Sequence, residues 1–143
     1  MAYKLFVDTN VYLDFLMQRG KEWESAEAIF KLGEKGVIEV FTSSSSVINL
    51  MYIMGSYKVA KQEIVTNTYA ILSYTKLINP DNSMFEAALS SAFKDLEDAV
   101  QYYTALQIRG MSYFITTNAK DYKNSMERLQ AITPREFIER YNK

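Results

Sequence analysis

Short apolar runs alternate along the chain with longer stretches of helical spacing. Tyr3-Lys4-Leu5-Phe6-Val7 has the length of a buried strand, and Val11 to Met17 then carries apolar residues three and four apart until Arg19-Gly20 interrupts. Helical spacing returns from Glu22 to Leu32 through Trp23, Ala26, Ile29, Phe30 and Leu32, and stops before Gly33. Val37 to Phe41 predicts a second strand, after which Thr42-Ser43-Ser44-Ser45-Ser46 offers hydroxyl caps to a helix from near Val47 to about Gly55. Lys58 to Ser73 predicts a helix with Ile64, Tyr69 and Leu72 on its apolar side; Lys76-Leu77-Ile78 is a minimal strand and Asn79-Pro80-Asp81 a turn. Helices follow over Met84 to Ala92 and from about Leu96 to Ile108, with strands at Tyr113 to Thr116 and Gln130 to Ile132. Thr133-Pro134-Arg135-Glu136 opens a last helix with a hydroxyl cap, a proline at the first helical position and the glutamate of a capping box. Five short strands separated by helices predict a single α/β domain over residues 1–143, a three-layer α/β/α arrangement around a central, mostly parallel five-stranded sheet.

Composition sets limits on the chemistry. The chain of 143 residues is 48% hydrophobic and 23% charged, ordinary for a folded domain. Sixteen basic and seventeen acidic side chains give a net charge of −1, so contact with nucleic acid must rest on a local patch. There is no cysteine and no histidine. That excludes disulfides, thiolate or imidazole metal sites, histidine general bases and every Ser-His or Cys-His nucleophile pair. Apart from amines, only oxygen chemistry is left. Met1-Ala2-Tyr3-Lys4 leads into a strand rather than a signal sequence, and no apolar run approaches the roughly 20 residues of a membrane span, so the expected location is cytoplasmic, with no membrane partner.

Acidic groups gather at three points in this pattern. Asp8 ends the first strand and turns it into a helix through Thr9 and Asn10, which puts a carboxylate at the carboxyl edge of a sheet, where open α/β folds hold ligands. Asp95-Leu96-Glu97-Asp98 opens a helix, and its three-residue spacing lets Asp95 and Asp98 point together. Thr116-Thr117-Asn118-Ala119-Lys120-Asp121 follows a strand as Asp8 does, so Asp8, Asn118 and Asp121 can meet at one parallel edge. Two carboxylates about 4 Å apart repel by roughly 4 kcal/mol at an effective dielectric near 20, so such a cluster calls for a proton or a cation. Hard oxygen ligands favour Mg²⁺ or Mn²⁺. Each piece also has an ordinary structural reading: Asp95 and Asn10 as helix caps, Asp98 as first-turn charge, Asn118 and Asp121 as turn residues. Eleven tyrosines suit a half-buried core, and Lys58, Lys61, Lys94, Lys120 and Lys123 suit a solvated face as well as phosphate.

The order of these motifs resembles the PIN domain family, single-domain metal-dependent ribonucleases that include the toxins of many bacterial toxin-antitoxin pairs. Asp8-Thr9-Asn10 looks like the opening motif, and Asp95-Leu96-Glu97-Asp98-Ala99-Val100 with Thr104-Ala105-Leu106 looks like the central acidic helix, in which Asp98 matches the motif aspartate and Asp95 a frequent companion. Phe114 to Tyr122 is similar to the strand and turn carrying the fourth position, here Asn118, and Ile132-Thr133-Pro134-Arg135-Glu136-Phe137 to the closing strand and helix. The resemblance implies cleavage of single-stranded RNA, with Asp8, Asp98 and Asp95 at an Mg²⁺ or Mn²⁺ and Asn10, Asn49, Asn118 and Asp121 in support. It also implies a homodimer and an antitoxin partner.

One position departs from the family. Where the helix after the second strand normally carries a glutamate, this chain has Asn49. An amide offers a carbonyl oxygen to a metal or its water but carries no charge and cannot act as a base. A second reading follows, a PIN-like module that binds RNA or protein without cutting. A third, a phosphatase of the haloacid dehalogenase type, needs an aspartate two residues after the first, where Asn10 stands.

Overall fold

The computed structural model describes residues 2–125 and 128–143. Strand β1 (Lys4–Val7) is the centre of the sheet, and its alternating side chains build both halves of the core. Leu5 and Val7 enter one apolar cluster and Phe6 the other, as a strand with two covered faces requires. The same division repeats in β2 (Glu39–Ser43) with Val40 against Phe41, in β4 (Tyr113–Ile115) with Ile115 against Phe114, and in β5 (Ala131–Ile132) with Ile132 against Ala131. With β3 (Thr75–Ile78) the strands lie in the order β3-β2-β1-β4-β5, and every pairing is parallel.

The first face is covered by α1 (Thr9–Met17), α2 (Trp23–Glu34), α3 (Ser44–Ser56), α4 (Lys61–Tyr74) and α7 (Pro134–Tyr141), which deliver Tyr12, Phe30, Leu50, Met54, Ile71 and Phe137 to the core. Helix α2 approaches β2 closely at Gly33, where an added Cβ would stand 2.9 Å from a Val40 methyl. The second face receives α6 (Leu96–Ala105), with α5 (Asn82–Leu89) packed on it, and a 3₁₀ turn over Ala119–Ser125. Here Phe6, Phe114, Tyr102 and Tyr122 form an aromatic block, with Phe114 at 5.4 Å from Phe6 and 4.7 Å from Tyr122 between ring centroids. The three-layer α/β/α expectation is therefore met. The Thr133–Glu136 capping box is formed as well. Among the described residues no helix is long and apolar enough to cross a membrane.

Several element ends differ from the sequence expectation for identifiable reasons. The second strand begins and ends two residues later than Val37 to Phe41, because Thr42 and Ser43 are buried in it with their hydroxyls satisfied. Thr42 Oγ1 donates to the Val7 carbonyl at 2.8 Å and Ser43 Oγ to Gln101 Oε1 at 3.0 Å, whereas Val37 is 45% exposed. Helix α3 starts at Ser44, since Ser43 itself caps it by accepting from Ser46 N. Helix α4 starts after Lys58, whose φ of +60° is left-handed and ends helical propagation. It buries Ile71 and keeps Ile64 partly buried, but Tyr69 and Leu72 face solvent. Asp81 caps α5 and brings its start forward to Asn82, and α6 ends at Ala105 rather than Ile108.

Candidate functional site

The chain moves from β1 out to β3 on one side and then returns to place β4 on the other side of β1. That makes β1 and β4 the pair at which strand order reverses, the point beyond whose carboxyl ends open α/β sheets bind ligands. Asp8 and Thr116 stand there. Asp8 caps α1 by accepting Thr9 N on Oδ1 at 2.8 Å, while its Oδ2 accepts Thr116 Oγ1 at 2.9 Å. Thr116 Oγ1 in turn accepts Asn118 N at 3.1 Å, which ties the turn after β4 to the carboxylate after β1. Asp8 is only 5% exposed.

Helix α6 brings the second carboxylate. Asp95 caps it, Oδ1 accepting Asp98 N at 3.0 Å, and the charge of Asp98 in that first turn acts on Asp8. Burial raises Asp8 to about 7, opposed by the Thr116 and Thr9 hydrogen bonds and reinforced by the charges of Asp98 and Glu97. Asp98 is raised to about 6, first by burial and then by Asp95, with Asp121 and Glu97 adding and the Tyr122 hydroxyl opposing. The buried Tyr122 hydroxyl is directed at Asp98 but closes no well-formed hydrogen bond, and burial together with the charges of Asp8 and Asp98 pushes its pKa far up. Carboxylates gathered in a partly buried place favour positive charge there.

The predicted residues thus divide. Asp8, Asp98, Asp95 and Asp121 share one electrostatic cluster, and Asn118 joins it through its backbone. Asp95 is the helix cap of the ordinary reading and a neighbour of Asp98 at once. Asn49, half-buried on α3, donates Nδ2 to Glu97 Oε1 at 3.3 Å. Asn10 is exposed on the first turn of α1, and among the described residues its side chain makes no hydrogen bond; the cap it was expected to supply comes from Asp8. Lys94 and Lys120 are exposed next to Asp95 and Asp121 in the chain, Lys58 and Lys61 follow the far end of α3, and the Lys123 side chain lies outside the described residues.

Sequence reasoning missed the hydroxyls that bind these elements together. Thr9 Oγ1 donates to Ser46 Oγ at 2.9 Å, Ser46 and Ser43 hydroxyls meet at 3.0 Å, and Ser43 ends the chain on Gln101 Oε1 of α6. Since the amide oxygen only accepts, Ser43 gives its proton there, and its two lone pairs are left to the Ser46 N–H and to the neighbouring Ser45 and Ser46 hydroxyls, which share the second. Three elements carrying Asp8, Asn49 and Asp98 are locked by this chain. Ser43→Ala removes the α3 cap and leaves the Gln101 oxygen open, so urea denaturation should show a loss of about 2–3 kcal/mol; a loss below about 0.5 kcal/mol would mean that water replaces the hydroxyl.

The donor set suits a hard divalent cation. Among the described residues no three acidic side chains come close enough to hold a metal alone. Asp8 and Asp98 with water and a substrate oxygen are the kind of set Mg²⁺ accepts, since it rarely uses an all-protein cage.

Comparison with known proteins places the arrangement. No curated protein matches the sequence. Solved structures similar to this chain include VapBC2 from Rickettsia felis bound to a DNA fragment from the promoter, with TM-score 0.65 and 16% identity over 91% of this chain and 98% of that one. A toxin-antitoxin complex from Klebsiella pneumoniae aligns with TM-score 0.62 and 22% identity over 91% and 97%. VapC20 of Mycobacterium tuberculosis, described as a sarcin-ricin loop cleaving toxin, aligns with TM-score 0.64 and 12% identity over 85% and 95%. Such identities show the fold alone. The PIN domain family model matches residues 4–120, a span that holds Asp8, Asn49, Asp95, Asp98 and Asn118 and sets aside the dehalogenase reading: the chain belongs to the PIN domain family.

Proposed function

We propose that the protein is a metal-dependent ribonuclease that hydrolyses phosphodiester bonds of single-stranded RNA as the toxin of a toxin-antitoxin pair. The observation that carries this reading is the approach of Asp98 to Asp8 at the β1–β4 switch point, both carboxyls raised first by burial, Asp8 further by the charge of Asp98 and Asp98 further by that of Asp95. A bound Mg²⁺ or Mn²⁺ would lower the pKa of an attacking water and neutralise charge building on the phosphate, work that no histidine in this chain can do. Asp8 and Asp98 would hold the cation. Asp95 would be a further ligand or orient its water, and Asp121 adds to the negative field at Asp98. Thr9 N and Thr116 Oγ1 fix the Asp8 carboxylate before any ligand arrives. Asn10 and Asn118, exposed at the rim, hold water or phosphate.

Family membership and the toxin-antitoxin neighbours support the toxin role and an antitoxin partner. The expected homodimer and antitoxin both need a protein contact, and Ile48, Tyr52 and Leu89 are apolar side chains left exposed on α3 and α5. The cytoplasm is where such a toxin would meet its RNA.

The test is cleavage of a labelled single-stranded RNA by the purified protein in Mn²⁺ or Mg²⁺. Activity should stop on chelation, and Asp98→Asn should lower kcat/KM at least about 100-fold. RNA binding that persists in chelator, with no cleavage under either metal, would instead establish the silent binding module that Asn49 favours.

A further inference from the structure

Asn49 was read from the sequence as a lost charge, but the structure places another carboxylate against it. Glu97, one residue before Asp98, accepts the Asn49 amide at 3.3 Å, a contact across 48 residues between α6 and α3. Its side chain is exposed, and with Asn49, Ser45 and Gln101 it lines a cleft of about 390 Å³ walled by Phe85, Leu89, Leu96 and Val100. Among the described residues the Asn49 contact is the only hydrogen bond on the Glu97 carboxylate, so its second oxygen and the Asn49 carbonyl oxygen are open to water.

Two further observations give this pair a direction. Glu97 acts electrostatically on both Asp8 and Asp98, so it belongs to their cluster although it leads into the cleft. In addition, the fully buried Tyr122 hydroxyl is aimed at Asp98 and feels the charges of Asp8, Asp98 and Asp95, so carboxylates from two elements bear on one place.

We propose that Glu97, held by the Asn49 amide, is a positioning residue that supplies the divalent cation's outer shell with the negative charge absent from position 49. This rests on the metal-dependent reading above. Asn49 orients the carboxylate by donating from Nδ2, which leaves the second Glu97 oxygen to accept from water that a bound cation would order. Outer-shell carboxylates of this kind typically change metal affinity 10- to 100-fold.

The test is Mn²⁺ calorimetry on the wild type, Glu97→Gln, the swapped pair Asn49→Glu/Glu97→Gln, and Asp98→Asn, each checked for folding by thermal melting. Glu97→Gln should weaken Mn²⁺ binding about tenfold, and the swap, which restores one carboxylate and one amide with their roles exchanged, should recover most of it. Unchanged affinity in Glu97→Gln, with or without a lower melting temperature, would overturn the proposal and leave a merely structural contact; weakening without recovery in the swap would overturn the exchange of roles with position 49. Undiminished binding in Asp98→Asn, or none in the wild type, would instead bring down the metal-dependent reading itself, so the two failures are distinct.

Discussion

Replacing Asp8 with asparagine should make the metal-free protein more stable at neutral pH while abolishing its cleavage. Asp8 ionises near 7 in the folded protein against an ordinary value of 3.8. Below about pH 4 the acid is protonated in both folded and unfolded chains, and its contribution to stability is fully present. As pH rises, the unfolded chain ionises first, and the folded state loses that contribution progressively until the pH passes 7. The rise from 3.8 to about 7 corresponds to a loss of about 4 kcal/mol. An asparagine of nearly the same shape keeps an acceptor for Thr9 N and carries no such loss. Thermal melts in chelator should therefore coincide for the two proteins near pH 4 and diverge by as much as about 10 °C above pH 7, the variant melting higher. Adding Mn²⁺ at pH 7.5 should raise the wild-type melting temperature and leave Asp8→Asn unmoved, because only the former binds it. Parallel melting curves from pH 4 to 8 would mean that Asp8 carries no buried charge.

The strain at Asp8 is the ordinary consequence of assembling carboxylates in a protein interior, and the local patterns that carry those carboxylates made much of this candidate site legible in the sequence. A strand of four apolar or aliphatic-stemmed residues ending in an acid announces both its burial and its edge. Asp95 and Asp98 announce themselves by helical spacing, and the Thr133–Glu136 capping box fixes the last helix without reference to anything distant. What escaped depends on contacts far apart in the chain. The Glu97–Asn49 pair spans 48 residues and the Thr116–Asp8 bond 108, and no local periodicity encodes either. Ser43 and Thr42 looked like loop caps because hydroxyls carry no apolar signal, although both are buried strand residues whose partners come from Gln101 and the Val7 backbone. Helix α4 misled for the opposite reason: Tyr69 and Leu72 satisfy an apolar pattern and still face solvent, since only the stripe containing Ile71 meets the core.

Phe114→Ala should have the largest effect on the fold, and it reaches the site through Tyr122. Phe114 is wholly buried at the middle of β4, stacked on Phe6 and in ring contact with Tyr102 and Tyr122. Truncating it removes a ring from a close-packed block that the sheet on one side and α6 on the other prevent from collapsing, so the cost should be about 3–5 kcal/mol by urea denaturation. Domains of this kind have only about 5–15 kcal/mol in total, which leaves the variant folded but marginal. The second consequence is chemical. The Tyr122 and Phe114 ring centroids stand 4.7 Å apart and Tyr122 directs its hydroxyl at Asp98, so with the Phe114 ring gone only the more distant Phe93 and Tyr102 rings, at 5.5 and 6.0 Å, hold that orientation. Phe114→Leu, which fills most of the space without the flat face, separates the two effects. It should recover more than half of the lost stability while Mn²⁺ affinity stays below wild type, read by calorimetry. Full recovery of both would show that Tyr122 needs volume behind it and not an aromatic face, and equal loss of both would place the whole effect in folding.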